Sequence, residues 1–190
     1  MTELEMSITS YFGVMDAQKL EIITSFFQPE VLKRGDYFLQ TGKKCGKLSF
    51  LKSGLMRIFV DLEKKEVTQW ISTKGYFVTD LSSFVFDEPA RWTIQALTDT
   101  EIYTLHKSDY ARLAALVPDW LVLEKLFIAR CFTMTENRIF SHLSMSAEER
   151  YAQFFENNKE LFNQVPLQYL ASMLGMTPET FSRIRKKQLL

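Results

Sequence analysis

The side chains best placed to do chemistry lie near the end of the chain, at Glu179, Thr180, Ser182, Arg183, Lys186 and Lys187. An arginine offers two parallel donors that match O6 and N7 of guanine, and a glutamate accepts from the amino group of cytosine. Threonine, serine and lysine suit phosphate oxygens instead, and Thr177, Thr180, Ser182, Lys186 and Lys187 are candidates for that contact. Such a set acts together only if it shares one face of a helix whose other face is held. Phe181 and Ile184 supply the apolar face at helical spacing. Thr177 can cap that helix through its hydroxyl, and Pro178 sits where a missing N–H is no loss. Upstream, Leu167, Leu170, Ala171 and Leu174 form one stripe of a preceding helix, which Gly175 ends by taking a positive φ. From Pro166 to Lys187 the pattern is that of a helix-turn-helix, whose second helix enters the major groove. The competing reading is an amphipathic helical hairpin on a surface, with Glu179 and Arg183 as an i,i+4 ion pair. Charge favours the former. From Pro166 onward four basic residues face one acidic, in a chain of zero net charge, so the first 165 residues carry −3. Positive charge gathered on one terminal helix is what phosphate attraction requires.

Other chemistries find little support. Cys45 and Cys131 stand far apart, which excludes a disulfide framework and a four-cysteine zinc or iron-sulfur site. His106 and His142 make no metal-binding pair at helical or strand spacing and read as structural residues. With no Ser/His/Asp or Cys/His constellation, and no histidine-rich motif of a cupin barrel, neither an enzyme nor a metal or certain cofactor is expected. No run of 18 apolar residues exists, and Glu3 and Glu5 precede the first apolar segment, so neither a membrane span nor a signal peptide is expected. A cytoplasmic location follows.

The elements that must position the terminal helices can be read in order. The 190 residues are 46% hydrophobic and 14% aromatic, enough for a packed core. Apolar residues between Met6 and Phe27 predict one or two short helices. Five of the seven glycines then fall between Gly35 and Gly75 and separate short β-rich runs, Lys47 to Lys52 and Leu55 to Val60, with further strands at Thr93 to Leu97 and Glu101 to His106. Alternation of Leu48 and Phe50, and of Met56, Ile58 and Val60, predicts a half-buried sheet of sandwich or barrel type. Ser108 is expected to cap a helix through Leu116. Pro118 then opens a long helix to about Leu143. Val122, Leu126, Ala129, Phe132, Phe140 and Leu143 lie on one side of it, and Leu123, Phe127 and Met134 roughly opposite. Two apolar faces require two partners: the β domain, and either the same helix of a second copy, with Thr133 and Glu136 as polar positions in the seam, or the terminal domain of a monomer. Ser146 and Glu149 form a capping box that starts a fresh helix through about Asn163.

A glycine-punctuated β-roll, a long central helix and a C-terminal helix-turn-helix, in that order, resemble the Crp/Fnr family of transcription regulators. The resemblance rests on Leu32-Lys33-Arg34-Gly35-Asp36 with Gly42, on Leu48 to Arg57, on Gly75-Tyr76-Phe77, on Ile94-Gln95-Ala96 through Glu101, and on Glu179 to Arg183. It implies an α+β fold in three parts: an antiparallel, cyclic-nucleotide-binding-like β-roll with flanking helices (1–117), a central dimerisation helix (118–145) and a helix-turn-helix DNA-binding domain (146–190). It also implies a homodimer on double-stranded DNA, RNA polymerase as a further partner, a small-molecule effector in the roll and no membrane. In the family a Glu and an Arg of the reading helix contact bases, and here they are Glu179 and Arg183. Pro178 replaces a common Arg, so one base contact is lost. Many members add a β-hairpin wing, whereas three residues follow Lys187 here, so either fewer backbone contacts are expected or a wing lies outside this sequence.

The effector cassette departs from the cyclic-AMP-binding pattern, in which Gly-x-x-x-Gly-Glu-Leu and a following Arg-Ser/Thr-Ala hold the phosphate and ribose. Here the candidate residues are Gly75, Phe77, Thr79, Asp80 and Leu81, then Ala90, Arg91 and Trp92. Thr79 stands for a glycine, Asp80 is one methylene shorter than Glu, and Ala90 takes the place of the Arg. Arg91 is one residue along, which in a strand points to the opposite face. A cyclic nucleotide is therefore not the expected effector. Either another small molecule enters, or Phe77, Phe84, Phe86 and Trp92 fill the pocket. The alternative function is a sensor or adaptor module that meets a protein partner through its terminal hairpin without binding DNA.

Overall fold

The computed structural model describes residues 1–63 and 65–188. The chain forms two compact units, one of Met1–Ile58 and Ile71–Phe132, the other of Phe59–Trp70 and Thr133–Leu190. The first opens with α1 (Glu3–Phe12) and α2 (Ala17–Ser25). Thr2 starts α1 by a capping box: its hydroxyl accepts the Glu5 amide at 3.2 Å and the Glu5 carboxylate accepts the Thr2 amide at 2.7 Å. The strands follow: β1 (Gln28–Leu32), β2 (Tyr37–Leu39), β3 (Lys47–Ser53), β4 (Met56–Leu62), β5 (Lys65–Ser72) and β6 (Phe77–Val78), then α3 (Leu81–Phe86), β7 (Thr93–Ala96) and β8 (Thr100–His106). They make two four-stranded sheets of order β1-β8-β3-β6 and β2-β7-β4-β5. The pairs β1·β8, β2·β7, β3·β6 and β3·β8 are antiparallel, with Leu48 opposite Leu105 and Phe50 opposite Tyr103.

The expected half-buried sheet is corrected by the observed burial. Leu48, Ser49, Phe50 and Leu51 are all buried, as are Met56, Arg57, Ile58 and Phe59. Both faces of β3 are therefore covered, that of Leu48 and Phe50 and that of Ser49 and Leu51. Phe50 packs under Tyr11 of α1 and under Phe27, each with ring centroids 5.7 Å apart. The buried Ser49 and Thr104 hydroxyls satisfy each other at 2.8 Å.

Helix α4 (Lys107–Leu116) starts without a side-chain cap, so Ser108 lies inside its first turn instead of capping it. Helix α5 (Trp120–Ser144) has 25 residues and is about 37 Å long at 1.5 Å per residue. It begins two residues after Pro118, because the Trp120 amide donates back to Val117 and the Asp119 carbonyl accepts from Leu123. Its two faces are as expected at Leu123 and Phe127, which are buried, while Met134 is half-buried. Phe127 stacks on Phe12 at 4.8 Å and meets Phe77 edge-on at 5.0 Å, and Phe12 also stacks on Trp120 at 5.6 Å. This aromatic cluster binds the first half of α5 to α1 and β6. The opposite face is bare: Phe132 is 62% exposed, Phe140 67% and Leu143 82%, with Val122, Leu126 and Ala129 also exposed. Leu121, Ile128 and Ile139 are exposed as well, beyond the residues the periodicity assigned.

In the second unit, Ser146 and Glu149 form the expected capping box, at 3.2 and 2.7 Å, and start α6 (Ala147–Asn157). The helix does not run to Asn163. It breaks at Asn158 (φ −142°, ψ 37°), whose side-chain amide donates to the Phe154 carbonyl at 3.0 Å, a local bond that competes with helix continuation. The break turns the short α7 (Leu161–Gln164) back, so that Phe162 reaches Tyr151 at 5.5 Å and Phe155 at 4.9 Å. Helices α8 (Leu167–Met173) and α9 (Pro178–Gln188) complete the unit.

Phe127→Ala empties the centre of the aromatic cluster. It should lower stability by about 3–5 kcal/mol in a urea titration, and a loss under about 1 kcal/mol would show that the cluster is not structural.

Candidate nucleic-acid interface

The two terminal helices meet through a turn that the sequence specifies residue by residue. Leu170, Ala171, Met173 and Leu174 of α8 and its end are buried, and Leu167 is half-buried. Met173 extends the stripe read from sequence. Gly175 has φ 69°, and the Met176 amide donates to the Ala171 carbonyl at 2.9 Å, closing the helix end around the left-handed residue. A Cβ at Gly175 would stand 3.2–3.3 Å from the His142 ring, so the position admits little beyond glycine. The Thr177 hydroxyl then accepts the Thr180 amide at 3.2 Å, and Pro178 is the first residue of α9.

The apolar face of α9 is fully committed. Phe181 and Ile184 are buried, with the Phe181 ring 5.1 Å from Tyr151 and 5.8 Å from Phe162. The opposite face carries Glu179, Ser182, Arg183, Lys186 and Lys187, all exposed, with Thr177 exposed ahead of them. Thr180 is half-buried and takes a hydrogen bond from the Thr177 hydroxyl at 3.2 Å. The Glu179 carboxyl is held below its ordinary range, chiefly by its own backbone amide and then by the Thr177 hydroxyl. It is therefore an acceptor at neutral pH, beside the permanent cation of Arg183. Three basic residues, Arg185, Lys186 and Lys187, lie in the last turn, where they complement the helix dipole.

Sequence reasoning missed the residue that ties the end of α8 to the end of α5. The Arg150 guanidinium donates from Nε to the Leu174 carbonyl at 3.0 Å and from Nη1 to the Met145 carbonyl at 2.6 Å. It thereby satisfies carbonyls at the ends of α8 and α5 that no helix bond reaches. Nothing in the local pattern marks Arg150, because its partners lie 24 and 5 residues away.

The cassette residues of the β-roll are bonded mainly to one another. Asp80 is 3% exposed. One carboxylate oxygen accepts the Ser83 amide at 3.0 Å and caps α3, and the other accepts the Arg91 and Trp92 amides at 2.9 and 3.3 Å. The Thr79 hydroxyl donates to the Lys47 carbonyl at 3.0 Å, and the Ser83 hydroxyl accepts the Cys45 amide at 2.8 Å. Ala90 is buried, its amide donating to Lys43 and its carbonyl accepting from Gly42, both at 2.8 Å. Arg91 is exposed and sits in a bend ahead of β7, so chain direction at a bend, not strand alternation, sets where it points. Gly75 turns the chain at φ 83°, and Leu81 and Trp92 are half-buried. Phe77 packs in the aromatic cluster with Tyr11 and Phe127, and Phe84 lies edge-on to Tyr110 at 5.2 Å. Phe86 is 70% exposed and fills nothing. Burial pushes the Cys131 thiol up to about 11, which suppresses its thiolate.

Residues 29–116 match the family model of the cyclic nucleotide-binding domain. No curated protein matches the chain by sequence. Among solved structures the fold is shared with the c-di-GMP-responsive global regulator CLP of Xanthomonas campestris, at 16% identity over 92% of each chain, with a TM-score of 0.69. It is shared with the catabolite activator protein of Thermus thermophilus, at 21% identity over 93% of this chain and 85% of that one, with a TM-score of 0.59. A chain from Eubacterium rectale, described as a transcriptional regulator of the Crp/Fnr family, gives a TM-score of 0.70 at 18% identity over 92% and 84% of the two chains. The Crp/Fnr-like architecture expected from the sequence is thus the observed fold. Among the described residues no helix is long and apolar enough to cross a membrane.

Gly175→Ala forces a left-handed residue against the His142 ring. It should destabilise the second unit by about 1–3 kcal/mol in hydrogen exchange of α8 and α9, and unchanged exchange would contradict the turn geometry.

Proposed function

We propose that the chain is a DNA-binding transcription regulator of the Crp/Fnr type, acting as a homodimer in which each copy reads one half-site with α9. The observation that carries the reading is the face of α9: Glu179, Ser182, Arg183, Lys186 and Lys187 stand exposed together while Phe181 and Ile184 seat the helix. Arg183 pairs with guanine and Glu179 accepts from cytosine, while Thr177, Ser182, Lys186 and Lys187 hold phosphates. The half-buried Thr180 adds a weaker phosphate contact. Dimerisation is supported by the bare apolar stripe of α5, from Val122 to Leu143, since exposed apolar patches of this kind mark association surfaces. RNA polymerase is the partner such a regulator would address.

The β-roll of this regulator does not hold a cyclic phosphate at Gly75–Leu81 and Ala90–Trp92. The Asp80 carboxylate already takes the amides of Ser83, Arg91 and Trp92, and Ala90 brings no guanidinium. An anion placed there would meet a buried carboxylate. The neighbour from Xanthomonas campestris is described as responding to c-di-GMP, an effector of another class than cyclic AMP.

A selection from random duplexes, with and without cell extract, should enrich a site with two-fold symmetry. On that site Arg183→Ala should cost about 1–3 kcal/mol and relax the preference at one base pair of each half-site, whereas Lys187→Ala should weaken binding to all sequences and lower the salt slope by about 1. No enriched site, or an Arg183→Ala variant that binds unchanged, would remove the proposal.

A further inference from the structure

Within the second unit, three chain segments converge on one guanidinium. Arg138, in the second half of α5, donates from Nη1 to the Gln69 carbonyl within strand β5 of the β4–β5 hairpin. From Nη2 it donates to the Met173 carbonyl, at the end of α8, at 3.1 Å. Its guanidinium carbon lies 5.5 Å from the centroid of the Trp70 ring. Beside it the Thr68 amide of the hairpin donates to the Ser172 hydroxyl of α8 at 2.9 Å. The chemistry suits arginine in particular. The last carbonyls of a helix lack intrahelical donors and carry partial negative charge. A planar fork presents two donors in fixed directions, so it can bridge two carbonyls and lie over an indole ring at once, which an ammonium cannot.

We propose that Arg138 is a positioning residue for the reading helix: it fastens the hairpin to the C-terminal end of α8, so that α8 and α9 take their orientation from the hairpin as well as from α5. The functional part of this inference rests on the DNA-reading proposal above. The need for such a fastening follows from the break at Met145 and Ser146, where α5 stops and α6 begins. A single joint of that kind leaves the following helices free to pivot. Arg150 ties the joint itself, through Met145 and Leu174, and Arg138 adds the neighbouring carbonyl, Met173, and carries the restraint on to Gln69. The turn that presents Thr177 and Glu179 begins at Gly175, directly after these carbonyls, so a shift in the end of α8 displaces the start of α9 directly.

The test uses the full chain and three variants, Arg138→Gln, Arg138→Lys and Ser172→Ala, with two readouts. The first is affinity for the enriched duplex and for an unrelated duplex. Arg138→Gln should weaken binding to the enriched site about tenfold and leave the unrelated duplex within about twofold, because base contacts need the aligned helix and non-specific phosphate attraction does not. Arg138→Lys should fail to restore the loss, and Ser172→Ala should move affinity in the same direction by a smaller factor. The second readout is hydrogen exchange at the Thr68 amide and across 172–180. In Arg138→Gln both should accelerate together. An Arg138→Gln protein that binds the enriched duplex within twofold of the original, or equal losses on both duplexes, would overturn the positioning role. If the original protein enriches no duplex, it is the DNA reading that fails. The exchange pair then still decides the fastening: joint acceleration sustains it, and acceleration at Thr68 alone overturns it. Should Arg138→Gln not fold, Ser172→Ala carries the same two readouts with the same signs.

Discussion

The structure depends on α5 having two apolar faces with only one of them covered. The first half of the helix is locked by Phe127, Leu123 and Trp120 into a cluster with Phe12, Tyr11 and Phe77, so it cannot roll to hide its other side. Each aromatic pair in that cluster contributes roughly 0.5–1.5 kcal/mol beyond burial. What remains is a stripe from Leu121 to Leu143 that includes Phe132 and Phe140. Apolar surface of that extent in water favours association, and its helical period favours another helix as the partner. A second copy of α5 satisfies both conditions. The proposed pairing would also double the phosphate contacts open to the terminal helices and set them at a fixed separation.

In the β-roll, fold and site chemistry have to be read apart. The sheets match the cyclic nucleotide-binding domain over residues 29–116, yet the polar groups of the cassette are turned inward. Asp80 joins α3 to the loop at Arg91 and Trp92, and Thr79 and Ser83 tie the same region to Lys47 and Cys45. A buried carboxylate with three amide donors is a well-satisfied structural element. Fold and function must then be argued separately, the first from the sheets and the second from the residues that face solvent.

Local signals carried most of what the sequence revealed. Gly175, Thr177 and Pro178 marked the turn, Ser146 and Glu149 marked the start of α6, and helical period separated Leu123 and Phe127 from Phe132 and Leu143. Each of these depends on residues within a turn or two of one another. The misses depend on distance. Strand alternation at Leu48 and Phe50 implied a wet face at Ser49 and Leu51, but both are buried, under cover that lies elsewhere in the chain. The helix from Ser146 read as continuous because Asn158 is only a weak breaker until Phe162 has Tyr151 and Phe155 to pack against. Asp80 read as a shortened ligand for ribose, since its partners at Arg91 and Trp92 are 11 and 12 residues away. Arg138 and Arg150 carried no local mark at all.

We propose that pairing through α5 sets two reading helices on one duplex. Hydroxyl-radical footprinting of the full protein on its enriched site tests it most directly. Two protected patches on one face of the DNA are expected, centred about 34–36 Å apart, one helical turn of the duplex. A single patch at saturating protein, or two patches whose spacing varies from site to site, would contradict it.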